Sequence, residues 1–188
     1  MALVMAAAPQ KSASRSKARS KALADLRGAM FHASIEAIEP SPLGKTAEGA
    51  EILEMLYSLN AAARIQYEAA ATAEGDDPTA ERGSWDGQII RVDKSFENSW
   101  HKTAVELVHE ASHALWRRKH PIPKKASNEE RLQSNVDDEF DAQENQLEMY
   151  KYLKSEKGMS EDALLETRLA RQARGTLRST IQARFRGD

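Results

Sequence analysis

The segment AVELVHEASHALW, residues 104–116, places His109, Glu110 and His113 in the order H-E-x-x-H. On an α-helix, positions four apart lie one above the other on one face. His109 and His113 can therefore bring two imidazole nitrogens around one ion. Glu110 is turned about 100° from His109, so its carboxylate reaches past the ion toward a bound water. Two neutral nitrogen ligands and one carboxylate free to take a proton are the parts that metal-assisted hydrolysis requires.

So short a pattern also arises by chance in a polar helix face. The flanking residues Leu107, Val108, Ala111, Ser112, Ala114 and Leu115 are all uncharged, which predicts a helix buried on most sides. Turning two histidines and a glutamate inward there is costly unless something pairs them. A metal ion is such a partner.

An open catalytic zinc site uses three protein groups and a water, so a third ligand is needed. The remaining histidines are His32, His101 and His120, and His120 lies past the end of the helix. The acidic stretch DDEFDAQENQ, residues 137–146, is the better source. Glu139 is followed three residues later by Ala142, and the small side chain lets two helices approach closely. Gln143 and Gln146 share the face of Glu139, which puts an amide beside the ligand. Glu144 is about 140° around the helix from Glu139, so both cannot face one ion. Glu144 shares its side with Phe140 and Leu147 and is read as a supporting or rim residue. Tyr150 is ~16 Å further along the helix, too far to stabilise a developing oxyanion.

Other elements must position these residues. DGQIIRVD, residues 86–93, is the clearest strand. It is expected as an edge strand beside the H-E-x-x-H helix, with Gln88, Ile89, Ile90 and Arg91 pairing an extended substrate. ARIQYEAAA is a second strand, with Ile65 and Tyr67 alternating with polar neighbours. Helices are expected at 22–38, from a Thr46 cap through Ile52, Leu53, Leu56 and Leu59, and from Asn98 or Ser99 to about Arg118. Another runs from a Ser134–Asp137 capping box to about Ser155. A last one, capped by Ser160, carries Leu164, Leu165, Leu169, Leu177, Ile181 and Phe185. TAEGDDPTAERGS, residues 72–84, reads as a polar loop. The fold class is α+β, mostly helical with a small sheet: one domain over residues 22–188 behind a disordered basic tail at 1–21. That tail has no acid before Asp25 and has the composition of a targeting signal.

Bulk composition removes several classes. The absence of cysteine excludes disulfides, thiolate metal sites and thiol nucleophiles. A net charge of −2 argues against a generic nucleic-acid binder. No apolar run is long enough to span a membrane.

The motifs HEASHA and EFDAQEN resemble the gluzincin branch of zinc metallopeptidases, whose third ligand is a glutamate on the helix after H-E-x-x-H. KTAEGAEILEML is similar to a helix start of the NleD-like bacterial effector and polymorphic-toxin metallopeptidases. The resemblance covers about residues 22–155. It implies a minimal zincin-like fold, with the sheet packed by the H-E-x-x-H helix. It implies one Zn2+ held by His109, His113 and Glu139, with Glu110 as general base for peptide-bond hydrolysis. The implied partner is a protein or peptide substrate. The implied setting is a soluble bacterial effector or toxin, exported or injected. The chain departs from the family in Ala47, Ser112, the carboxylate Glu106 and an arginine-rich end. Arg168, Arg171, Arg174, Arg178, Arg184 and Arg186 leave a non-enzymatic binding module open as a rival, against a solvated face that balances the acidic helix. An inactive zincin scaffold is the other rival.

Overall fold

A computed structural model describes residues 11–69 and 82–187, with side chains from Ser20 onward. The first ten residues of the expected tail and most of the expected polar loop lie outside the described residues. Among the described residues the chain forms six α-helices and one three-stranded sheet. None of these helices is long and apolar enough to cross a membrane.

The first helix, α1 (Lys11–Glu36), starts well before the expected position 22. Part of the segment expected to be disordered is thus helical. Alanine, lysine and arginine, frequent there, are strong helix formers. Among the described side chains of α1, the buried apolar residues are Phe31 and Ile35, while Leu23 and Leu26 stay exposed. In α2 (Ala47–Ala61), Thr46 caps the helix as expected, accepting the Gly49 N–H at 2.9 Å. Ile52, Leu56 and Leu59 bury its inner stripe.

The strands are β1 (Ile65–Glu68), β2 (Gly83–Trp85) and β3 (Ile90–Asp93), in the order β1-β3-β2. β1 pairs parallel to β3, and β2 pairs antiparallel to it. This corrects the expected edge strand, because β3 has a neighbour on each side and its backbone groups are already paired. Residues 86–89 form the β2–β3 turn instead, with Asp86 Oδ1 accepting the N–H groups of Gln88 and Ile89, each at 2.9 Å. In register, Tyr67, Val92 and Gly83 lie side by side on one face of the sheet.

That face lies against α3 (Trp100–Lys119), which is capped by Ser99 and buried without interruption from Thr103 to Leu115. α1, α2, α4 and the sheet all contact it. Its main partner is α4 (Asn128–Glu156). The cap of α4 is Ser127 with Glu130, a full capping box, rather than Ser134 with Asp137. The sequence Ser-Asn-Glu-Glu offers the longer glutamate that reaches back to the cap N–H. The expected single last helix is two, α5 (Ala163–Ala173) and α6 (Leu177–Arg186). Gly175, at φ 70°, takes the left-handed conformation that ends the first. Asp162, not Ser160, caps α5 through the N–H groups of Leu164 and Leu165.

Candidate metal centre

The one-turn spacing on α3 puts Nε2 of His109 3.1 Å from Nε2 of His113. From the facing helix, Glu139 brings Oε2 to 3.4 Å from the same His113 nitrogen. One ligand atom from each of the three residues lies within 4.8 Å of the other two. Zinc bonds of about 2.0–2.1 Å in a tetrahedron separate ligand atoms by about 3.3 Å, close to the two separations measured from His113. Ala142 is fully buried one turn along from Glu139, where a larger side chain would hold α4 away from α3.

Two of the three residues are oriented from behind. His113 Nδ1 lies 2.6 Å from Asp138 Oδ1, and Arg117 Nε donates to Asp138 Oδ2 at 2.9 Å. Gln143, the expected amide, donates to Glu139 Oε1 at 2.6 Å and leaves Oε2 toward the histidines. His109 Nδ1 is buried without a hydrogen bond of ordinary geometry, although the Ala142 backbone is close.

The electrostatics of the cluster are compatible with a bound cation. Burial, reinforced by the neighbouring His113, lowers the His109 pKa to about 3, so this ring is neutral. Burial opposes charge on His113 as well. Hydrogen bonds to Asp138 and Glu139 outweigh it and raise the pKa to about 10. Glu139 is buried too, yet its hydrogen bond to His113, the His113 charge and the Gln143 hydrogen bond hold it well below the usual carboxylate range. The His113 proton supplies the positive charge that a metal ion would replace. The donor set therefore fits zinc.

Glu110 is buried on the same helix. A Cβ placed on Gly83 would lie 2.8 Å from Glu110 Oε1 and 2.7 Å from Glu106 Oε1. The bare glycine is what lets β2 pass over both carboxylates. Burial pushes the Glu106 carboxyl up to about 7, against the pull of Arg168 and Arg82. Gln146 donates to Glu106 Oε2 at 3.2 Å, and its own Oε1 accepts from Arg168 Nη1 at 2.6 Å. A cavity of about 310 Å³ opens on the three ligands, walled by Gly83, Ser84 and Trp85 of β2 and by Leu164 and Arg168 of α5.

The other expected site residues lie elsewhere. Glu144 is exposed, where Gln172 reaches it at 3.5 Å, because its side of α4 turns to solvent beside α5. Gln88 and Ile89 are in the β2–β3 turn, Ile90 is in the core, and Arg91 pairs with Glu68 and Asp86. None of the four lines the cavity. The strand that does is β2, hidden in the apparent polar loop. Its signal was Asp86-Gly87, a hairpin pair following Trp85. Asp138 and Arg168 were also missed as site residues, and Gln146, expected on the Glu139 face, bonds Glu106 and Arg168 instead. Of the arginine-rich end, Arg178 pairs with Asp137 and Arg186 with Glu129, so these two balance the acidic helix α4.

Comparison with protein families, curated proteins and solved structures gives no match for this chain.

Proposed function

We propose that the chain is a zinc-dependent endopeptidase of the zincin type, with His109, His113 and Glu139 as ligands and Glu110 as general base. The observation that carries this is the convergence of one ligand atom from each of His109, His113 and Glu139, all within 4.8 Å of one another, on a cavity, with a buried carboxylate next in sequence to the first ligand. Zinc, when bound, supplies Lewis acidity to a water and to the substrate carbonyl. Glu110 takes a proton from the water as the water oxygen bonds to the carbonyl carbon. The C–N bond then breaks, and Glu110 returns the proton to the leaving nitrogen. β2 has β3 on one side only among the described residues, so its other edge is a place for an extended peptide. On the sequence resemblance, the proposal extends to a bacterial effector or toxin with a protein substrate, exported or injected.

The test is metal content and peptide cleavage on protein purified without added metal. One equivalent of zinc is expected in the wild type and in Glu110→Gln, with cleavage only in the wild type. A wild type without bound metal overturns the reading.

A further inference from the structure

Water addition puts negative charge on the carbonyl oxygen, and a preorganised donor aimed at that charge is commonly the largest protein contribution to such a reaction. We propose that Arg168 is this donor, a catalytic residue supplied by α5. The assignment rests on the peptidase reading above.

Four arginines reach the cavity: Arg82, Arg117, Arg168 and Arg184. Arg82 donates to Asp162 at 2.6 Å, and Arg117 to Asp138 at 2.9 Å. Both charges are thus matched by carboxylates that have structural duties of their own. Arg184 is on the exposed α6 side of the cavity. Arg168 differs from all three. It is partly buried, and its hydrogen bond goes to a neutral acceptor, the Gln146 amide oxygen. A guanidinium carries five N–H donors in a rigid fork, so orientation by one amide leaves others for a ligand. It lines the same cavity as Glu106, His109, His113 and Glu139, and its charge bears on His109, Glu106 and Glu139.

The mounting is rigid. Asp162 caps α5 and is held by Arg82. The Tyr150 hydroxyl accepts the Asp162 N–H at 3.2 Å and donates to Glu166 one turn along α5. Tyr150 is therefore occupied in fixing the helix that carries Arg168. Gln146, almost wholly buried, sets the guanidinium from the other side through its second bond to Glu106. A donor fixed in this way needs no reorganisation when charge develops.

The experiment uses full-length Arg168→Met and Arg168→Lys, assayed for zinc, for kcat and KM on a cleaved peptide, and for affinity toward a phosphinic peptide. That ligand carries anionic oxygens where the reacting carbonyl would be. Zinc is expected to stay. Phosphinic-peptide affinity and kcat are expected to fall together by about 10²–10³-fold in R168M, with KM little changed and partial recovery in R168K. Should R168M not fold, R168K against wild type carries the same comparison. Retained zinc with unchanged phosphinic-peptide affinity overturns the assignment alone. So does a loss confined to KM for peptides with an acidic side chain or free C-terminus, which marks a carboxylate anchor. A wild type without zinc overturns the peptidase reading and this one with it.

Discussion

Nδ1 of His113 lies 2.6 Å from Oδ1 of Asp138, and this contact decides which ring nitrogen faces Glu139. The carboxylate holds the proton on Nδ1 and leaves Nε2 to a metal. Arg117 fixes the carboxylate in turn. Asp138 and Glu139 are consecutive on α4, so one short stretch supplies both a ligand and the support of another ligand.

Asp138→Ala is expected to lower zinc affinity about 10–100-fold, the usual effect of removing a carboxylate behind a ligating histidine. Competition with a chelator of known affinity measures it. Asn at the same position keeps an oxygen acceptor and is expected to lose less. Wild-type affinity in the alanine variant would show that the packing of α3 alone sets the ring.

Gly83→Ala tests the approach of β2 to Glu110, the proposed general base. Its Cβ would stand 2.8 Å from Glu110 Oε1 and 3.0 Å from the Arg91 carbonyl oxygen. The glutamate has to move, and a misplacement of about 1 Å costs up to ~10²-fold in rate. The expected result is a 10–100-fold lower kcat with zinc fully bound. A wild-type kcat would mean that Glu110 works from another rotamer.

How much of this was legible in the sequence follows from the range of each signal. His109, Glu110 and His113 were legible because helix periodicity is local. Glu139 followed from its spacing to Ala142, with Gln143 on the same turn. The same rotation separated Glu144 from Glu139, but it could not say that Glu144 faces solvent, which depends on how α4 packs. Asp138 acts on a histidine 25 residues away, and no sequence period connects the two. β3 was recognisable from its own Ile90 and Val92, but whether it is central or at an edge depends on its neighbours. One neighbour, β2, has three residues, too short for an alternating pattern. Arg168 looked like one of several surface arginines until Gln146 and Glu106 were seen behind it.

Glu106 gives a pH signature in the metal-free protein. Its folded pKa is about 7, above the ordinary carboxylate value, because it is buried. The folded state therefore keeps a proton that the unfolded chain releases. This contribution to stability is complete below pH 4.5 and is lost as pH rises toward 7. Glu106→Gln stays neutral and can still accept from Gln146. The Tm advantage of E106Q over wild type is expected to grow by several degrees between pH 4.5 and 7 and then level off. Thermal scans across that range check it, and a pH-independent difference would place the charge of Glu106 in contact with solvent.

The last prediction separates the two glutamates of α4. Glu139 points Oε2 at His113 and has its other oxygen held by Gln143. Glu144 is exposed and meets Gln172 of α5. Removing one of three protein ligands leaves two histidines, too few for a stable zinc site of this type. Glu139→Ala is expected to purify without zinc. It also leaves His113 without one of the two carboxylates that hold its charge, so the metal-free variant should bind protons at His113 less tightly than wild type. An NMR titration of the ring reads that shift independently of any metal. Glu144→Ala is expected to keep one zinc and wild-type turnover. If E144A empties the site while E139A keeps it, α4 presents a different face to α3 than the one described here, and the ligand assignment falls with it.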